Sequence, residues 1–426
     1  MKNKTDEIQQ GIPGPLSPKT IAILGAGGRG TGFADLIKRF AYLAKVTAVA
    51  EPRADYREAM ASAHDIPRHQ VFSDWREFVA RPRMADAVVI ATMDQDHAGP
   101  AVACMELGYD VLLEKPMATS IEDCRAIEAA QRRTGRIVGV CHSLRYQKGF
   151  RKVKELIAGG AIGELVTLDQ IEQVTYWHQA HSYVRGNWGK EADASFMLLA
   201  KSCHDIDYIS YLVDRPCLKV SSFGALNYFR RDKAPAGSAD RCTDACPLEP
   251  ACAYSAIKAY VLKDRESWPA CVPSADHSYE AHMEAIRTGP YGRCVWKCDN
   301  DVVDHQTVSM LFEGNVTATF TMTAFTLDHG RMLRAHGTLG DLRFDQNSIT
   351  IKTYADNNVS RIDLAQEAGG HGGGDAQVVR EWLMALVDRD DRHLVANAQE
   401  ALKSHSIVFA AEKSRREGIT VEIKPS

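Results

Sequence analysis

The sequence lacks any run of the roughly 18 to 20 consecutive apolar residues that a bilayer span needs. It also lacks a strong charge: its 426 residues carry a formal net charge of -4, with acidic and basic residues interspersed. Neither a nucleic acid nor an anionic membrane is therefore expected as a partner. A small-molecule partner is expected instead. The polar first 18 residues, which contain Gly and Pro, are expected to form a flexible leader ahead of a cytoplasmic protein.

A disulfide framework is not indicated either. The chain has eleven cysteines, an odd number, and several of them (Cys104, Cys141 and Cys203) lie inside apolar segments. Buried reduced thiols in the cytoplasm fit this pattern better than paired cystines. The length allows two domains with a sizeable core.

The first third of the chain alternates short apolar runs with helical stretches. The runs read "TIAILGAG", "KVTAVAEP", "DAVVIATM" and "DVLLEKP". Continuous apolar strands separated by helices are typical of βαβ units, whose parallel sheet is buried on both faces. This predicts an α/β, doubly wound Rossmann domain over residues 19–145.

A glycine-rich turn follows the first strand and opens a helix. In the pattern G-x-G-x-x-G, Gly25 allows the turn, Gly27 lets backbone approach a pyrophosphate, and Gly30 lets the helix pack closely. Glu51 closes the second strand, where its carboxylate would accept hydrogen bonds from the adenosine ribose, which favours NAD over NADP; Arg53 nearby weakens that preference. The predicted cofactor loop is Gly25-Ala26-Gly27-Gly28-Arg29-Gly30.

The strand "DVLLEKP" ends on Glu114, Lys115 and Pro116. Ligands of open α/β sheets lie at the carboxyl ends of the strands, so Lys115 is expected to point at the cofactor crevice. The alternative is a structural ion pair between Glu114 and Lys115. Ser120 and Asp123 form a capping box for the helix that follows.

These motifs, in this order, resemble the Gfo/Idh/MocA family of NAD(P)-dependent sugar oxidoreductases. The resemblance rests on the glycine turn, "ATMDQDH" with Thr92 and His97, the Glu-Lys-Pro tripeptide, "HSLRY" at 142–146, "KSCHDIDYISYL" at 201–212 and "SHSIVFAAEKSRREG" near the C-terminus. It implies that Glu114, Thr92 and His97 lie at the cofactor, that Lys115 contacts the reacting hydroxyl, and that His204 accepts its proton. It also implies a homodimer or homotetramer.

One position departs from the polyol dehydrogenases of that family. They carry an aspartate four residues before the histidine, where this chain has Ala200, followed by Lys201. If Lys115 and Lys201 lay ~6 Å apart at an effective dielectric of ~20, their repulsion of roughly 2.8 kcal/mol would lower one pKa by about two units. A lysine could then share the base role with His204, whose unperturbed pKa is near 6.5.

The segment "TYWHQAHSYVRGNW", residues 175–188, is a candidate sugar site. Aromatic faces pack on the apolar faces of a sugar ring, while Arg and Asn bind hydroxyls or a carboxylate. The alternative is a loop whose aromatics pack on the Rossmann domain. A metal at His178 and His181 is discounted because no third ligand is evident, and His181 is instead a further catalytic candidate. The predicted substrate residues are Tyr146, Tyr176, His178, Tyr183, Arg185, Asn187 and Trp188.

Residues 146–426 are predicted to form an α+β domain with a large, mostly antiparallel open sheet, because long alternating strands replace the βαβ pattern. An irregular insert at about 229–300 contains C-x3-C-x5-C, namely Cys242, Cys246 and Cys252. These thiols either stay free or bind a structural zinc with an unknown fourth ligand.

The expected function is transfer of hydride between a ring hydroxyl of a sugar or glycoside and NAD. A redox-neutral glycosidase, which oxidises C3 transiently, eliminates the aglycone, adds water and returns the hydride, is the alternative, and the crowded His, Lys and Tyr side chains favour it. Ordinary hydrolysis is not expected, since the usual carboxylate pair is lacking. A nucleotide-binding sensor without chemistry is the third hypothesis.

Overall fold

Six short apolar strands form a wholly parallel sheet, as the βαβ pattern predicts. The computed structural model describes residues 17–365, 369 and 372–424, so the predicted leader lies outside the described residues except for its last two positions. The sheet has the order β3-β2-β1-β4-β5-β6. Its strands are β1 Lys19–Leu24, β2 Ala44–Ala50, β3 Val71–Phe72, β4 Ala87–Ile90, β5 Asp110–Leu113 and β6 Val138–Val140.

Five helices connect these strands and cover both faces of the sheet. They are α1 Gly28–Arg39, α2 Ala54–Ala63, α3 Trp75–Val79, α4 Ala98–Glu106 and α5 Ile121–Thr134. Ser120 caps α5 by accepting a hydrogen bond from the backbone N–H of Asp123 at 3.1 Å. The strand order reverses between β1 and β4, which opens a crevice at their carboxyl ends.

The second sheet has nine strands in the order β14-β13-β12-β11-β7-β10-β9-β8-β15. Only the central pair, β7 with β10, is parallel among them. The strands are β7 Leu165–Gln173, β8 Cys217–Ala225, β9 His305–Phe312, β10 Thr317–Thr323, β11 Gly330–Gly337, β12 Gly340–Phe344, β13 Ser348–Thr353, β14 Val359–Asp363 and β15 Val421–Glu422. The predicted α/β fold with a mostly antiparallel second sheet is confirmed.

One face of this sheet is buried and the other is open, as the alternation in β10 predicts. Ala318, Phe320 and Met322 point into the core, while the threonines between them face outward. The remaining helices are α6 Lys148–Ala158, α7 Tyr176–His178, α8 Met197–Ala200, α9 Cys203–Val213, α10 Ala256–Tyr260, α11 Tyr279–Thr288, α12 Gly374–Asp388 and α13 Ala398–Glu417. The homodimer or homotetramer that the resemblance implies stays a prediction.

The C-terminal helices return to the first sheet. Trp382 and Leu383 of α12 are fully buried against Ile21 and Ile23 of β1, and Ala401 of α13 joins the core on the other face. Packing therefore links the two ends of the chain, and the domain boundaries at 145 and 146 stay a prediction. No helix in the described part of the chain is long and apolar enough to cross a membrane.

The irregular insert, predicted at about 229–300, occupies residues 226–304 between β8 and β9 and contains buried apolar clusters. Ala256, Tyr260, Val261 and Ile286 form a buried apolar cluster between α10 and α11. A second cluster packs Phe229 and residues 294–296 onto Ala180 and Val184. The insert therefore has apolar cores that stabilise it without a metal.

The predicted zinc finds no support in this arrangement. Cys242, Cys246, Cys252 and Cys294 do line one small cavity. Yet no group of three or more His, Cys, Asp or Glu side chains in the described ranges is placed to bind a metal ion. The sulfur of Cys242 accepts a hydrogen bond from the backbone N–H of Ala256 at 3.3 Å and lies 3.8 Å from the Arg185 guanidinium. That positive charge disfavours a cation at the same sulfur.

Candidate active site

The glycine turn leaves its backbone open at the switch point of the first sheet. Gly25 has a φ of +89°, and a Cβ there would lie 2.5 Å from the carbonyl oxygen of Ala91. A Cβ on Gly30 would lie 1.8 Å from the carbonyl oxygen of Gly25. Helix α1 begins at Gly28, so its free N–H groups point at this opening. The turn fits the pyrophosphate of a dinucleotide.

Glu51 is buried beside this turn. It accepts hydrogen bonds from the backbone N–H of Ala26 at 2.8 Å and from Nε of Arg53 at 2.7 Å. Burial alone would raise the pKa of Glu51, but the hydrogen bonds from Arg53 and Ala26 hold it below its usual value. Arg53 itself stacks on Tyr56, 3.8 Å from the ring centre. An ionised carboxylate and a guanidinium thus stand together where the adenosine ribose is expected.

Arg29 ties the glycine turn to the rest of the crevice. Its Nε donates to Glu114, and its terminal nitrogens donate to Asp375 at 2.7 and 3.1 Å. Ser143 also donates to Asp375, at 2.6 Å. Glu114 is therefore paired with Arg29, and its other oxygen accepts the backbone N–H of Lys115 at 2.5 Å. The alternative interpretation, in which Glu114 serves mainly to pair the Lys115 ammonium, does not match this geometry.

The Lys115 ammonium crosses to the second part of the chain. Its Nζ donates to the carbonyl oxygen of Ala200 at 2.7 Å. Ala200 ends α8 and occupies the position where polyol dehydrogenases carry aspartate. His97 is also buried. Its Nδ1 lies 2.7 Å from the carbonyl oxygen of Pro116, and its Nε2 lies 3.3 Å from that of Thr92. His97 thus joins the 91–97 turn to the Glu-Lys-Pro tripeptide.

His204 lies in the first turn of α9 and is buried. Its ring meets that of His142 edge to face, with 5.8 Å between the centroids. Burial lowers the pKa of His142 to about 3, and the positive charge of Lys115 contributes to that shift. His204 and Lys115 therefore share His142 as a neighbour, which brings the two predicted catalytic residues to one region.

Lys201 forms an ion pair with a buried carboxylate. Its ammonium lies 2.9 Å from Glu172, which is also 3.0 Å from Arg331. Arg331 in turn pairs with Asp205 at 2.8 Å. Burial lowers the pKa of Lys201, and Glu172 opposes the shift. Burial is thus the main cause of the lower pKa, and the repulsion between Lys115 and Lys201 stays a prediction.

His178 lies beside these charges. Its ring centroid is 5.8 Å from that of Tyr183 and 6.0 Å from that of His329. Burial holds the pKa of His178 well below its usual range, and the charges of Lys201 and Lys115 add to the effect. His178 is therefore a neutral imidazole next to both lysines.

His181 and Arg185 follow in a π-helical turn, Gln179–Arg185, but they face the insert. Nδ1 of His181 is 3.0 Å from the hydroxyl of Tyr260, and burial lowers its pKa to about 4. Arg185 donates to the carbonyl oxygens of Arg293 and Tyr254, both at 2.7 Å. The prediction that Arg185 binds substrate is therefore not matched by its contacts, since its guanidinium holds the insert.

The other predicted substrate residues divide between site and core. Trp188 donates from Nε1 to Asp94 at 3.2 Å, and burial raises the pKa of that carboxyl. Asn187 is exposed. Tyr146 is fully buried in the core of the first sheet, which does not match its predicted contact with substrate. Tyr176 packs on Tyr254 of the insert, with 5.8 Å between the ring centroids.

Sequence reasoning missed several residues of this region. Glu172 could have been found, because Leu168, Gln170 and Glu172 share the inward register of β7. Asp94 lies in the "ATMDQDH" turn and was open to the same inference. His329, Arg331 and the insert's Trp268 had no local signal, since only the folded chain brings them to His178 and Glu172.

A Rossmann crevice with a glycine turn, a lysine just after β5 and a buried histidine in α9 is typical of a nicotinamide-dependent oxidoreductase. Residues 19–142 match the family described as "Oxidoreductase family, NAD-binding Rossmann fold". Residues 150–244 match "GFO/IDH/MocA C-terminal domain". The chain belongs to the Gfo/Idh/MocA family.

Individual relatives agree with this assignment. YteT of Bacillus subtilis strain 168 is 25% identical over 318 residues, which cover 70% of this chain and 72% of YteT. Inositol 2-dehydrogenase 3 of Saccharopolyspora erythraea is 34% identical over 131 residues, 30% of this chain and 35% of that enzyme. The chain thus spans only about a third of that inositol dehydrogenase.

Solved structures show the same fold at low identity. The oxidoreductase domain protein of Kribbella flavida has a TM-score of 0.71 at 16% identity, covering 96% of this chain and 100% of its own. The scyllo-inositol dehydrogenase of Lactobacillus casei, solved with NAD(H) and scyllo-inositol, has a TM-score of 0.66 at 17% identity, covering 95% and 99%.

Proposed function

We propose that the protein oxidises a ring hydroxyl of a sugar, inositol or glycoside with NAD as hydride acceptor. The observation that carries the proposal is the hydrogen bond from Lys115, just after β5, to the carbonyl of Ala200, four residues before His204. Relatives named for inositol oxidation support the class of substrate.

NAD, when bound, would accept the hydride of the carbinol carbon. The glycine turn and the N-terminus of α1 would hold its pyrophosphate, and Glu51 its adenosine ribose. The Lys115 ammonium would stabilise the alkoxide that develops as the C–H electrons leave. His204, a buried imidazole in the first turn of α9, would accept the hydroxyl proton.

The ion pair between Lys201 and Glu172 would help to position the substrate. It is buried and faces neutral His178, so its charges are weakly screened and can orient the other hydroxyls of the ring. Lys201, fixed by Glu172, keeps its proton more readily than an isolated buried lysine. We assign the base role to His204 and not to Lys201 for that reason.

Redox-neutral cleavage of a glycoside is the second candidate. The observation that favours it is the additional acid–base set of Lys201, Glu172 and His178, since elimination needs a base for the C–H and an acid for the leaving group. None of the relatives named above is described as a glycosidase.

The test is to follow NADH absorbance and aglycone release together with free sugars, inositols and aryl glycosides. NADH that accumulates with substrate supports the dehydrogenase. Aglycone without net NADH, lost when bound NAD is removed, supports the redox-neutral route. NAD binding without either reaction would leave the sensor hypothesis.

Variants then test the two central residues. Lys115→Ala and His204→Gln are expected to lower kcat by ~10²- to 10⁴-fold while NAD still binds. Matched controls are Lys152→Ala and His393→Gln, whose side chains pair on the surface with Glu155 and Asp388. Full activity in Lys115→Ala would overturn the proposal.

A further inference from the structure

The insert contributes three aromatic side chains to the region of His178 and His181. Tyr260 contacts Nδ1 of His181 through its hydroxyl at 3.0 Å. Tyr291 stacks on the same imidazole, with 5.0 Å between centroids and 16° between planes. Trp268 meets His178 and His181 edge to face at 5.0 and 5.4 Å. The insert therefore forms one wall of the candidate site.

Trp268 differs from its neighbours because half of it is exposed. Its relative exposure is 51%, whereas that of Tyr260 is 1%. The indole is nevertheless held in place, since it also packs against Trp177 with 5.5 Å between the centroids. A tryptophan fixed by three rings and still open to solvent offers a rigid apolar surface to a ligand.

His178 connects this surface to the reacting groups. The charges of Lys201 and Lys115 both act on His178, and its ring lies 5.0 Å from that of Trp268. Trp268 therefore lies next to His178, which in turn lies near both lysines of the proposed site. Arg185 keeps it there, because its hydrogen bonds to Arg293 and Tyr254 attach the insert to the π-helical turn.

We propose that Trp268 is a stacking platform for the second ring of the substrate, the sugar or aglycone joined to the ring that is oxidised. An aromatic face packs on the apolar face of a sugar ring or on an aryl group without needing a particular hydroxyl pattern. The inference rests on the proposed function and specifies it: the substrate is a glycoside or disaccharide, and a free sugar occupies only the site of the ring that is oxidised.

The test compares Trp268→Ala and Trp268→Phe with the unchanged protein on matched pairs of free sugars and their aryl glycosides. In Trp268→Ala, KM for the glycosides is expected to rise by ~10-fold, with kcat and KM for the free sugars within about twofold. Trp268→Phe keeps an aromatic face, so its KM for the glycosides is expected to lie between those of the unchanged protein and of Trp268→Ala. Tyr279→Ala, an exposed aromatic of the same insert, is the matched control and is expected to change nothing.

Equal rises of KM for free sugars and glycosides, or no rise in either variant, would overturn the proposal. Thermal unfolding of each variant identifies loss of fold, and Trp268→Phe supplies the decisive comparison if Trp268→Ala does not fold. Calorimetric titration of the NAD-loaded protein with an aryl glycoside separates the two proposals. Binding that weakens in Trp268→Phe without turnover would support the platform while rejecting the oxidation.

Discussion

At the scale of the residue, the second sheet carries an unusual buried charge cluster. Lys201, Glu172, Arg331 and Asp205 form a continuous row of ion pairs with little access to solvent. Burying such groups is costly unless each charge has a partner, so the row is stable only when it is complete. Its formal charges cancel, so the row as a whole adds no net charge beside neutral His178.

Glu172→Gln is therefore expected to destabilise the protein by about 3 to 5 kcal/mol, because Lys201 and Arg331 would lose the carboxylate between them. Urea unfolding of the variant measures this free energy. Glu155→Gln is the matched control, since its partner Lys152 is exposed and such surface pairs contribute about 1 kcal/mol or less. Equal stability of the two variants would show that Glu172 is not required by the row.

At the scale of the element, the π-helical turn Gln179–Arg185 divides its side chains between two partners. Tyr183 faces His178, while His181 and Arg185 face the insert. Single π-helical turns are rare, but those that occur are often at functional sites. The extra residue in such a turn changes which side chains share a face. Here the turn lets one short segment contact both the charge cluster and the insert.

Arg185→Lys is expected to loosen the insert without unfolding the sheets. A lysine cannot reproduce the forked hydrogen bonds to Arg293 and Tyr254. Hydrogen exchange should therefore speed up within residues 226–304, by about tenfold or more, and stay unchanged in the strands of the first sheet. Arg287→Lys, an exposed pair with Glu284 on α11, should show neither effect. Unchanged exchange in Arg185→Lys would contradict the role given to its guanidinium.

At the scale of the whole molecule, several buried histidines make stability depend on pH. Burial lowers the pKa of His142 to about 3 and those of His181 and His405 to about 4. The unfolded chain, with histidine pKa values near 6.5, binds more protons between about pH 4 and 6.5. Stability is therefore complete above that range and falls as the pH drops through it.

Unfolding by urea at pH 7 and pH 5 is expected to show this loss, with up to about 2 kcal/mol from each buried histidine at pH 5. His142→Phe should lessen the pH dependence of the free energy of unfolding, because it removes one of these titrating groups. Phenylalanine is expected to fit there, since neither ring nitrogen of His142 has a hydrogen-bond partner among the described residues. His393→Gln, a surface histidine, serves as the control. A steeper loss in His142→Phe than in the unchanged protein would refute this explanation.

Much of the fold could be predicted from local pattern. Short apolar runs followed by helices determine the first sheet, and alternation determines the strands of the second. The glycine turn, Glu51, Lys115 and His204 could be proposed as site residues for the same reason: each lies at a fixed place relative to a predicted strand or helix. The contacts of Tyr146 and Arg185 could not be predicted in this way, because segments distant in the chain decide them, and their roles in substrate binding stay predictions.

The sequence by itself determined the Rossmann half, the motifs of the crevice and the alternating faces of the large sheet, because these depend on residues close together in the chain. The tertiary structure decided the partners of the charged groups. Arg29 pairs with Asp375 and Lys201 with Glu172. The structure likewise decided the aromatic contact of Trp268 with His178. Such contacts depend on strand order and on the path of the insert, which local propensity does not encode, so only the folded chain shows which side chains share the site.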